Sequence, residues 1–523
     1  MNANTYRTTP QNRGISVRKV LHMKKTSIHR PRNPPGFSAR SAALAISLFA
    51  FAAGGCRTQN WDTMRRADSE SYRHNLQAET KAILSAFPDG LALTNCVAIA
   101  KERSIKLASS QIAEKIATLD RKAAFSAFLP QVRLSYETLS LSKLPETTFD
   151  GTDVQLQDQN LHKGSVQILQ PLFTPGEWLM YRSAKRGQEI ATLVRERTGQ
   201  MIELSVVNGF GQCCALDEEA AAREQDVAAA RQLLRQTESL RAAGAATGSD
   251  VDRARATALE HERECANARR EAKLARAQLL QVMNLWPLAD VPLKPESLLD
   301  AAARHLTVRT PGETPRDLGT RDLLAIPVET WMFHALLSRP EMHAKDRTIA
   351  LRRNEVIRSL VMFLPNLTGF ANYYTTSDSY TVNQEYWGTG LQASLSAFTG
   401  FRDVAAYLKA REQKKSAYVE REETAMMILV QVLEAYKNLQ NAQQALAVAE
   451  ASATAEERAT AEVESQHRAG QVELSRLLAS QAARSETRAR RQSAAFAKAV
   501  SLYAFLNVLG GHIEETPNPA AKP

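Results

Sequence analysis

A short motif that occurs twice constrains this chain more than any other feature. The sequence Phe-Leu-Pro at residues 128–130 returns 235 residues later at 363–365. At each copy a helical pattern ends and an alternation of apolar and polar residues begins, which is typical of a strand with one apolar and one polar face. Because a duplicated unit usually dictates the architecture, we expect two copies of one unit that contains helices and a strand hairpin.

The two units differ in the connection between their predicted strands. The alternation places strands at about 131–141 and 164–173 in the first unit, and at about 366–376 and 386–398 in the second. The repeat offset falls from 235 residues at the Phe-Leu-Pro motif to 226 at a pair of Gly turns, Gly244 and Gly470. We therefore assign the nine extra residues to the polar, unpatterned stretch 142–163, as a longer loop.

Two unusually long helical patterns dominate the chain. They run from Pro175 to about Leu240 and from Arg402 to about His467. Roughly 65 residues at 1.5 Å per residue give helices of roughly 100 Å. In the second, apolar residues recur at steps of three and four, as in a coiled-coil seam: Leu429, Val432, Tyr436, Leu439 and Leu446. Shorter helical segments at about 93–127, 250–285, 330–362 and 473–509 complete a predicted rod, with helix turns at one end and strand hairpins at the other.

The N-terminus has the pattern of a secretory signal. Residues 1–40 carry nine Lys or Arg and no acidic residue, and a short apolar stretch follows from Ala42 to Ala53. A start at Met23 would give a more ordinary signal length, so residues 1–22 are a candidate for untranslated sequence. Without residues 1–55 the 66 basic and 56 acidic residues become 57 and 56. The positive charge therefore belongs to the signal and predicts no nucleic-acid partner.

Cys56 is the predicted site of a lipid anchor. The small residues before it in Ala53-Gly54-Gly55-Cys56 resemble a bacterial lipobox, and several acyl chains such as palmitate would anchor the chain stably. The alternative is ordinary signal cleavage nearby, with a free Cys56 thiol. The predicted organisation is a signal (1–55), an N-terminal anchor segment (56–89), a first repeat (90–286), a linker (287–329), a second repeat (330–511) and a tail (512–523).

Two strand hairpins cannot close a barrel on their own. Open apolar edges are unstable in water and in lipid, whereas strands of about 9–11 residues suit an outer-membrane barrel. Three copies related by cyclic symmetry would supply 12 antiparallel strands. The predicted fold class is therefore mainly α with a small transmembrane β part, forming a trimeric 12-stranded β-barrel and a long periplasmic α-helical barrel.

The order, duplication and spacing of these motifs resemble the outer-membrane efflux protein family, the TolC-like trimeric exit ducts, in their lipoprotein type. The resemblance covers roughly residues 90–511. Besides the Phe-Leu-Pro pair, it rests on residues 337–342 at the start of the second repeat, on the turns at 243–251 and 469–473, and on 506–511.

The resemblance implies a passive exit duct of a tripartite efflux system for small molecules such as drugs. A homotrimer, lipid-anchored in the outer membrane and extending into the periplasm, would work with a periplasmic adaptor (membrane fusion protein) and an inner-membrane pump. No catalytic residue, metal or cofactor is implied. The chain would enter the barrel at Pro130 and Pro365. The turns would form the periplasmic tip that closes the duct, with Gly244, Asp250, Asp252, Gly470, Glu473 and Arg476 as gate candidates.

The acidic gate candidates also have a simpler interpretation. Asp250, Asp252 and Glu473 lie near helix N-termini, where negative charge favours the helix dipole without any role in a gate. Arg476 stands where the first turn has Asp250, which argues against a fully acidic gate ring.

Other functions are compatible with parts of this pattern. The duct could serve type I protein secretion or metal-ion export. A periplasmic coiled-coil adaptor or scaffold lipoprotein would explain the helices and the anchor, but it would not need two strand hairpins. His261, Glu262 and Cys265 lie one turn apart and could ligate a metal. Their counterparts in the second repeat are Thr487, Arg488 and Arg491, so we interpret them as a solvated helix face. Cys213 falls opposite Leu439 and is interpreted as a packing residue.

Overall fold

The computed structural model describes residues 61–149, 152–303, 306–308, 316–318, 320–469 and 471–510. The predicted signal, Cys56, Gly470 and the predicted tail lie outside the described residues. The helices are α1 (Trp61–Leu84), α2 (Leu93–Arg103), α3 (Ile105–Ser126), α4 (Pro175–Ala242), α5 (Gly248–Val282), α6 (Glu296–Ala303), α7 (Thr320–Ala325), α8 (Val328–Ser338), α9 (Pro340–Val361), α10 (Arg402–Arg468) and α11 (Leu474–Val508). The strands are β1 (Gln131–Ser140), β2 (Glu146–Phe149), β3 (Thr152–Gln155), β4 (Asn160–Phe173), β5 (Leu306–Val308), β6 (Arg316–Leu318), β7 (Asn366–Thr376) and β8 (Glu385–Ser394).

The two long helices confirm the predicted fold class. α4 has 68 residues and α10 has 67. The buried stripe of α10 is shifted slightly from the predicted seam and consists of Ile428, Val432, Ala435, Leu439 and Ala442. Val432 and Leu439 belong to both sets, whereas Leu429 and Leu446 are only half-buried. Among the described helices, none combines the length and the apolar composition that crossing a bilayer requires.

The two shorter helical segments before the Phe-Leu-Pro motifs are each broken, which corrects the prediction of continuous helices over 93–127 and 330–362. The breaks fall at Ser104 and Arg339, equivalent positions in the two repeats, and both residues have extended backbone angles. Pro340 explains the second break, because a proline restricts the residue before it to extended conformations. Ile105 follows the first break, so there the local sequence alone does not stop the helix.

A four-stranded antiparallel sheet joins the two repeats, in the order β1-β4-β7-β8. The central pair β4 and β7 brings one strand from each repeat together. β8 ends at Ser394, four residues before the predicted end, because its partner β7 begins at Asn366 and offers no further residues to pair. β4 begins earlier than predicted, at Asn160, opposite Ser140.

The connection between β1 and β4 is not the unpatterned loop that the sequence predicts. It contains a second small hairpin, in which β2 pairs with β3. The corresponding connection of the second repeat, between β7 and β8, has no strand of its own. The extra residues of the first repeat therefore form ordered backbone pairs.

The chain divides into two compact units, each of which takes residues from both repeats. The first unit comprises residues 1–104, 205–304 and 442–500. Its core lies among α2, α4, α5 and α6, where Cys96, Phe210, Leu279 and Leu298 are fully buried. α1 is attached to this core near its C-terminal end, since the Thr80 hydroxyl accepts a hydrogen bond from the Trp286 backbone N–H at 2.9 Å.

The second unit comprises residues 105–204, 305–441 and 501–523, and it contains the four-stranded sheet. Its helical core is aromatic. The rings of Trp331 and Phe505 pack edge-to-face with centroids 5.7 Å apart, and Tyr436 lies 6.0 Å from Phe505. The Trp331 indole N–H donates to the Leu323 carbonyl at 3.0 Å, so the polar group of this buried side chain is satisfied.

Candidate functional site

The four-stranded sheet has one apolar and one polar face. Its register aligns the alternating side chains of all four strands, because directly paired residues of antiparallel strands lie on the same face. The mainly apolar face also includes Thr375, Thr389 and, at the start of β8, Glu385; its apolar residues are Val132, Leu134, Tyr136, Val166, Ile168, Ala371, Tyr373, Trp387, Leu391 and Ala393. The opposite face is mainly polar, with Leu139, Leu161, Leu169 and Phe370 as its apolar members; its polar residues are Gln131, Arg133, Ser135, Glu137, Lys163, Ser165, Gln167, Asn372, Tyr374, Tyr386 and Gln392.

None of the described residues covers the apolar face. Val132, Leu134 and Tyr136 are 63%, 74% and 73% exposed, and Trp387 is 74% exposed. A soluble monomer would rarely leave a contiguous apolar sheet face in water. This face therefore requires a surface outside the chain to cover it.

The sheet also has two open edges. β1 and β8 are its outer strands, and within the described residues neither has a partner on its outer side. Unpaired backbone groups along an edge are a template for pairing with another strand. The sheet is consequently incomplete both at its edges and on its apolar face.

The two Phe-Leu-Pro motifs form matching helix-to-strand turns. Phe128 and Leu129 donate backbone hydrogen bonds to the carbonyls of Phe125 and Ser126, and the equivalent residues of the second repeat make the equivalent bonds. Pro130 lacks an N–H group and directly precedes β1. Pro365 precedes β7 in the same way, so both proline candidates lie where a helix ends and the sheet begins.

The first hairpin turn, between α4 and α5, is closed by a capping box. Gly244 has φ +77°, and the Ala245 N–H bonds the Leu240 carbonyl at 2.8 Å, as in a Schellman turn. Thr247 caps α5: its N–H donates to the Asp250 carboxylate at 2.9 Å, and its hydroxyl accepts from the Asp250 N–H at 3.3 Å. The hydrogen bond from the Thr247 hydroxyl lowers the pKa of Asp250. Asp250 is therefore a capping residue as well as a gate candidate.

The second hairpin turn has the same backbone closure and a different cap. The Gln471 N–H bonds the Gln466 carbonyl at 2.9 Å, the counterpart of the bond between Ala245 and Leu240. Glu473 takes the place of Thr247, and Arg476 takes that of Asp250, so the capping box is not repeated. His467 instead contacts the Val472 carbonyl through Nδ1 at 2.9 Å. Asp252, Glu473 and Arg476 are exposed.

A buried polar network surrounds the motif at residues 337–342. The Arg339 guanidinium is 2% exposed, and it forms two hydrogen bonds with the Glu341 carboxylate and one with the Gln431 side chain. Arg197 of α4 forms an ion pair with the same carboxylate at 2.5 Å. Arg197 also donates to Asn507 at 2.9 Å, and Asn507 donates to the Gln200 carbonyl at 2.7 Å. The network joins both repeats through motif residues that the resemblance singled out.

The charges of this network stabilise one another. Burial by itself would raise the pKa of Glu341, but the hydrogen bonds from Arg339 and the charges of Arg339 and Arg197 together hold that pKa below its usual value. Burial lowers the pKa of the Arg197 guanidinium, against the attraction of Glu341. Glu341 is thus an ionised carboxylate shared by two arginines.

The cysteines of the described residues are free and buried. Burial raises the pKa of Cys213 and of Cys214 to about 12, and it raises the pKa of Cys96 as well. Thiols with such pKa values are poor nucleophiles. This agrees with the interpretation of Cys213 as a packing residue.

The structure contradicts part of the interpretation of His261, Glu262 and Cys265 as a solvated helix face. Cys265 is 5% exposed, so it belongs to the buried stripe of α5 and not to a solvated face. Glu262 instead accepts a hydrogen bond from Arg231 at 2.7 Å. In the part of the chain that the structure describes, no cluster of three or more His, Cys, Asp or Glu side chains is arranged to hold a metal ion.

Two sets of residues in the site were missed by the sequence analysis. Arg197 lies inside a long helical pattern without a motif of its own. Asp158 and Asp378 join the loops of the two strand hairpins: the Asp158 N–H donates to the Asp378 carboxylate at 3.1 Å, and Ser379 donates to Asp158 at 2.6 and 2.9 Å. Asp158 and Asp378 are 220 positions apart, so no local pattern could indicate the contact.

Comparisons with known proteins agree with this geometry. A family model described as outer membrane efflux protein matches residues 97–285 and 331–511. The Campylobacter jejuni CmeC outer membrane channel is 15% identical over 81% of this chain and 86% of its own, with a TM-score of 0.65. The outer membrane protein VceC from Vibrio cholerae is 17% identical over 81% and 97%, with a TM-score of 0.62. The open state of the Neisseria gonorrhoeae MtrE outer membrane channel is 16% identical over 80% and 89%, with a TM-score of 0.57. A search of curated proteins gave no match.

The structural likeness establishes the fold, and the family model establishes the relationship. The two matched segments fall on the two copies of the duplicated unit and cover most of the chain. They include both helix-to-strand turns, both hairpin turns and the polar network around Arg339. This chain therefore belongs to the outer membrane efflux protein family.

Proposed function

We propose that this protein is the outer-membrane channel-tunnel of a tripartite efflux system, a homotrimer that acts as a passive exit duct for small molecules such as drugs. The observation that carries the proposal is the four-stranded sheet, with its apolar face, its polar face and its two open edges. No chemistry by the protein is required, because the duct only supplies a path.

Closure by three copies satisfies both deficiencies of the sheet. If β8 of one protomer pairs with β1 of the next, three protomers form 12 antiparallel strands without an edge. The apolar face then contacts lipid and the polar face lines a water-filled lumen, which is the alternation of an outer-membrane barrel. The four strands have 10 to 14 residues, enough for a tilted strand to cross a bilayer.

The aromatic residues support the same orientation. Tyr373 and Trp387 form a directly opposed pair on the apolar face. Tyr and Trp side chains are enriched at membrane interfaces, where the apolar ring contacts lipid and the polar group contacts water. Tyr374 and Tyr386 stack on the opposite face, with centroids 5.2 Å apart.

The two hairpin turns are the proposed periplasmic end of the duct. We assign the gate to Asp250 and Asp252 in the first turn and to Glu473 and Arg476 in the second, around Gly244 and Gly470. A periplasmic adaptor would open the gate by contacting these turns, and an inner-membrane pump would supply the energy. The different caps of the two turns mean that the proposed tip alternates between two kinds of hairpin.

The proposed location is the outer membrane, with a lipid anchor at Cys56. The anchor is supported by the lipobox-like sequence before Cys56. α1 begins at Trp61, only a few residues after this cysteine, and its C-terminal end is attached to the first unit. A lipid on Cys56 would therefore tether an ordered part of the protein.

Planar bilayers and whole cells test the proposal together. Purified wild-type protein should give discrete single-channel currents, and a strain that lacks the gene should accumulate an efflux dye until the gene is restored. Asp250→Ala combined with Glu473→Ala should change the conductance or its dependence on the adaptor while the trimer persists. Glu457→Ala, an exposed acid further back on α10, is the matched control and should leave both unchanged.

The outcomes separate the duct from its alternatives. A trimer that never conducts would contradict the duct and favour a periplasmic scaffold. Conduction without any effect on dye accumulation, together with loss of a secreted protein or sensitivity to a metal ion, would contradict the small-molecule assignment. Unchanged conductance in the double turn variant would remove Asp250 and Glu473 from the gate.

A further inference from the structure

Arg133 is the unbalanced charge on the polar face of the sheet. The register places three charged residues on this face: Arg133, Glu137 and Lys163. Glu137 and Lys163 are directly opposite each other on β1 and β4, so their charges offset. Arg133 is opposite the neutral Gln167, and it is exposed. No acidic side chain among the described residues makes an ion pair with it.

The position of Arg133 along the strand gives it a defined level in the duct. It is the third residue of β1, close to the turn at Pro130 where the chain passes from helix to strand. The alternation of β1 directs it to the same face as Ser135 and Glu137, opposite to Val132 and Leu134. In the trimer of the proposed function, three copies would lie at one level of the lumen, near its helical end.

We propose that these three Arg133 side chains form a cationic ring that makes the membrane part of the duct favour anions over cations. The inference rests on the proposed function, because only the closed trimer brings the three guanidiniums around one lumen. It assigns a preferred class of solute, small anions, to the duct.

The size of the barrel makes the ring effective. Twelve tilted strands about 4.8 Å apart give a barrel roughly 25 Å across, so no guanidinium is more than about 12 Å from the axis. At about 10 mM salt the Debye length is about 30 Å and exceeds this radius. Three charges at that distance in water enrich a monovalent anion at the axis by at least about threefold over bulk. At about 1 M salt, where the Debye length is about 3 Å, the enrichment disappears.

Reversal potentials across a KCl gradient in planar bilayers test the proposal. The matched variants are Arg133→Lys, which keeps the charge, Arg133→Gln, which removes it, and Arg133→Glu, which reverses it. In dilute salt the ratio of chloride to potassium permeability should stay near wild type in the lysine variant. It should fall by at least about twofold in the glutamine variant and further in the glutamate variant, and the differences should vanish in concentrated salt.

The result distinguishes this inference from the function on which it rests. If the wild-type trimer gives no current, both fail. If all four proteins conduct and their permeability ratios in dilute salt agree, the duct stands and the Arg133 ring is refuted. Because charges at the turns are the same in all four proteins, a graded shift among them can only come from position 133. Trimer content, checked for each variant on a native gel, shows whether a silent variant failed to assemble.

Discussion

At the residue scale, Ser104 and Arg339 show how far local sequence decides structure. They occupy equivalent positions, and at both the helix is interrupted by one extended residue. Pro340 makes the second interruption predictable. At the first, Arg103 is held by Glu79 and by the Asn284 carbonyl, so contacts distant in sequence accompany a break that the local residues do not require.

Glu341 should be the most sensitive residue of the buried polar network. Replacing it by Gln leaves Arg339 and Arg197 without their shared carboxylate, and removing one partner of a buried ion pair costs about 3 kcal/mol. We expect a lower thermal unfolding midpoint for Glu341→Gln, measured by circular dichroism at a fixed heating rate. Glu329→Gln, at an exposed acid of α8, is the control and should unfold like wild type.

The effect of Glu341 should depend on pH in one direction. Its folded-state pKa is lowered, so its contribution to stability is complete above the unfolded value and is lost as the pH falls through the folded one. The difference between wild type and Glu341→Gln should therefore be constant near neutral pH and shrink only below about pH 4.3, the ordinary pKa of glutamate. A difference that persists unchanged in acid would contradict the ionic origin.

At the element scale, the two strand hairpins are joined by their loops as well as by their strands. The Asp378 carboxylate accepts hydrogen bonds from the backbone of Asp158 and Tyr380 and from the Thr381 hydroxyl, and it is 9% exposed. Asp158 in return accepts from Ser379. The loop of each repeat thus depends on a carboxylate of the other.

Asp378→Ala should open this loop without dissolving the sheet. A hydrogen bond to a charged group stabilises the closed loop by roughly 1.5 kcal/mol or more. A loss of about 1.4 kcal/mol raises the population of molecules with an open loop about tenfold. Cleavage by chymotrypsin after Tyr380 should therefore accelerate about tenfold, since cleavage follows the open population. Val382→Ala, a fully exposed change in the same loop, should be cleaved at the wild-type rate. Equal rates in both variants would show that the carboxylate does not hold the loop.

The elements themselves divide into those that the sequence predicts and those that it does not. The long helices, the two helix-to-strand turns and the alternation of the strands follow from period, proline position and the repeat, because each depends on neighbours within a few residues. The Asp158–Asp378 contacts do not, because they depend on which loop faces which. The hairpin β2–β3 is local, and the Asp150-Gly151 dipeptide between its strands is a hairpin signal that could have predicted it. In the sequence, the difference between the caps of the two turns is indicated only by Arg476, which stands at the position equivalent to Asp250.

At the scale of the whole molecule, one chain supplies a third of a proposed barrel and two of six proposed tip hairpins. A protein that stays monomeric in water would rarely leave such an apolar face exposed and such strand edges unpaired. The sequence indicates that the barrel is incomplete because it predicts only four barrel strands. It does not indicate the register between β-strands of neighbouring protomers, because those strands belong to different chains.

Cys56→Ser should abolish the incorporation of labelled lipid into the protein. Cells grown with radiolabelled palmitate should label the wild-type protein and leave the variant unlabelled, because acylation requires the Cys56 thiol. Cys265→Ser, at a buried position of α5, is the matched control and should still be labelled. Continued labelling of the Cys56 variant would refute the anchor without affecting the duct.

The two-faced sheet is tested most directly by its accessibility in intact outer membranes. Single cysteines at positions 131–137 of β1 would be exposed to a membrane-impermeant maleimide, with wild type as the background. Cysteines that replace Gln131, Arg133, Ser135 and Glu137 should be labelled. Cysteines that replace Val132, Leu134 and Tyr136 should not, because in the proposed barrel the first set faces water and the second contacts lipid. Labelling at all seven positions would show a sheet solvated on both faces and would contradict an outer-membrane duct.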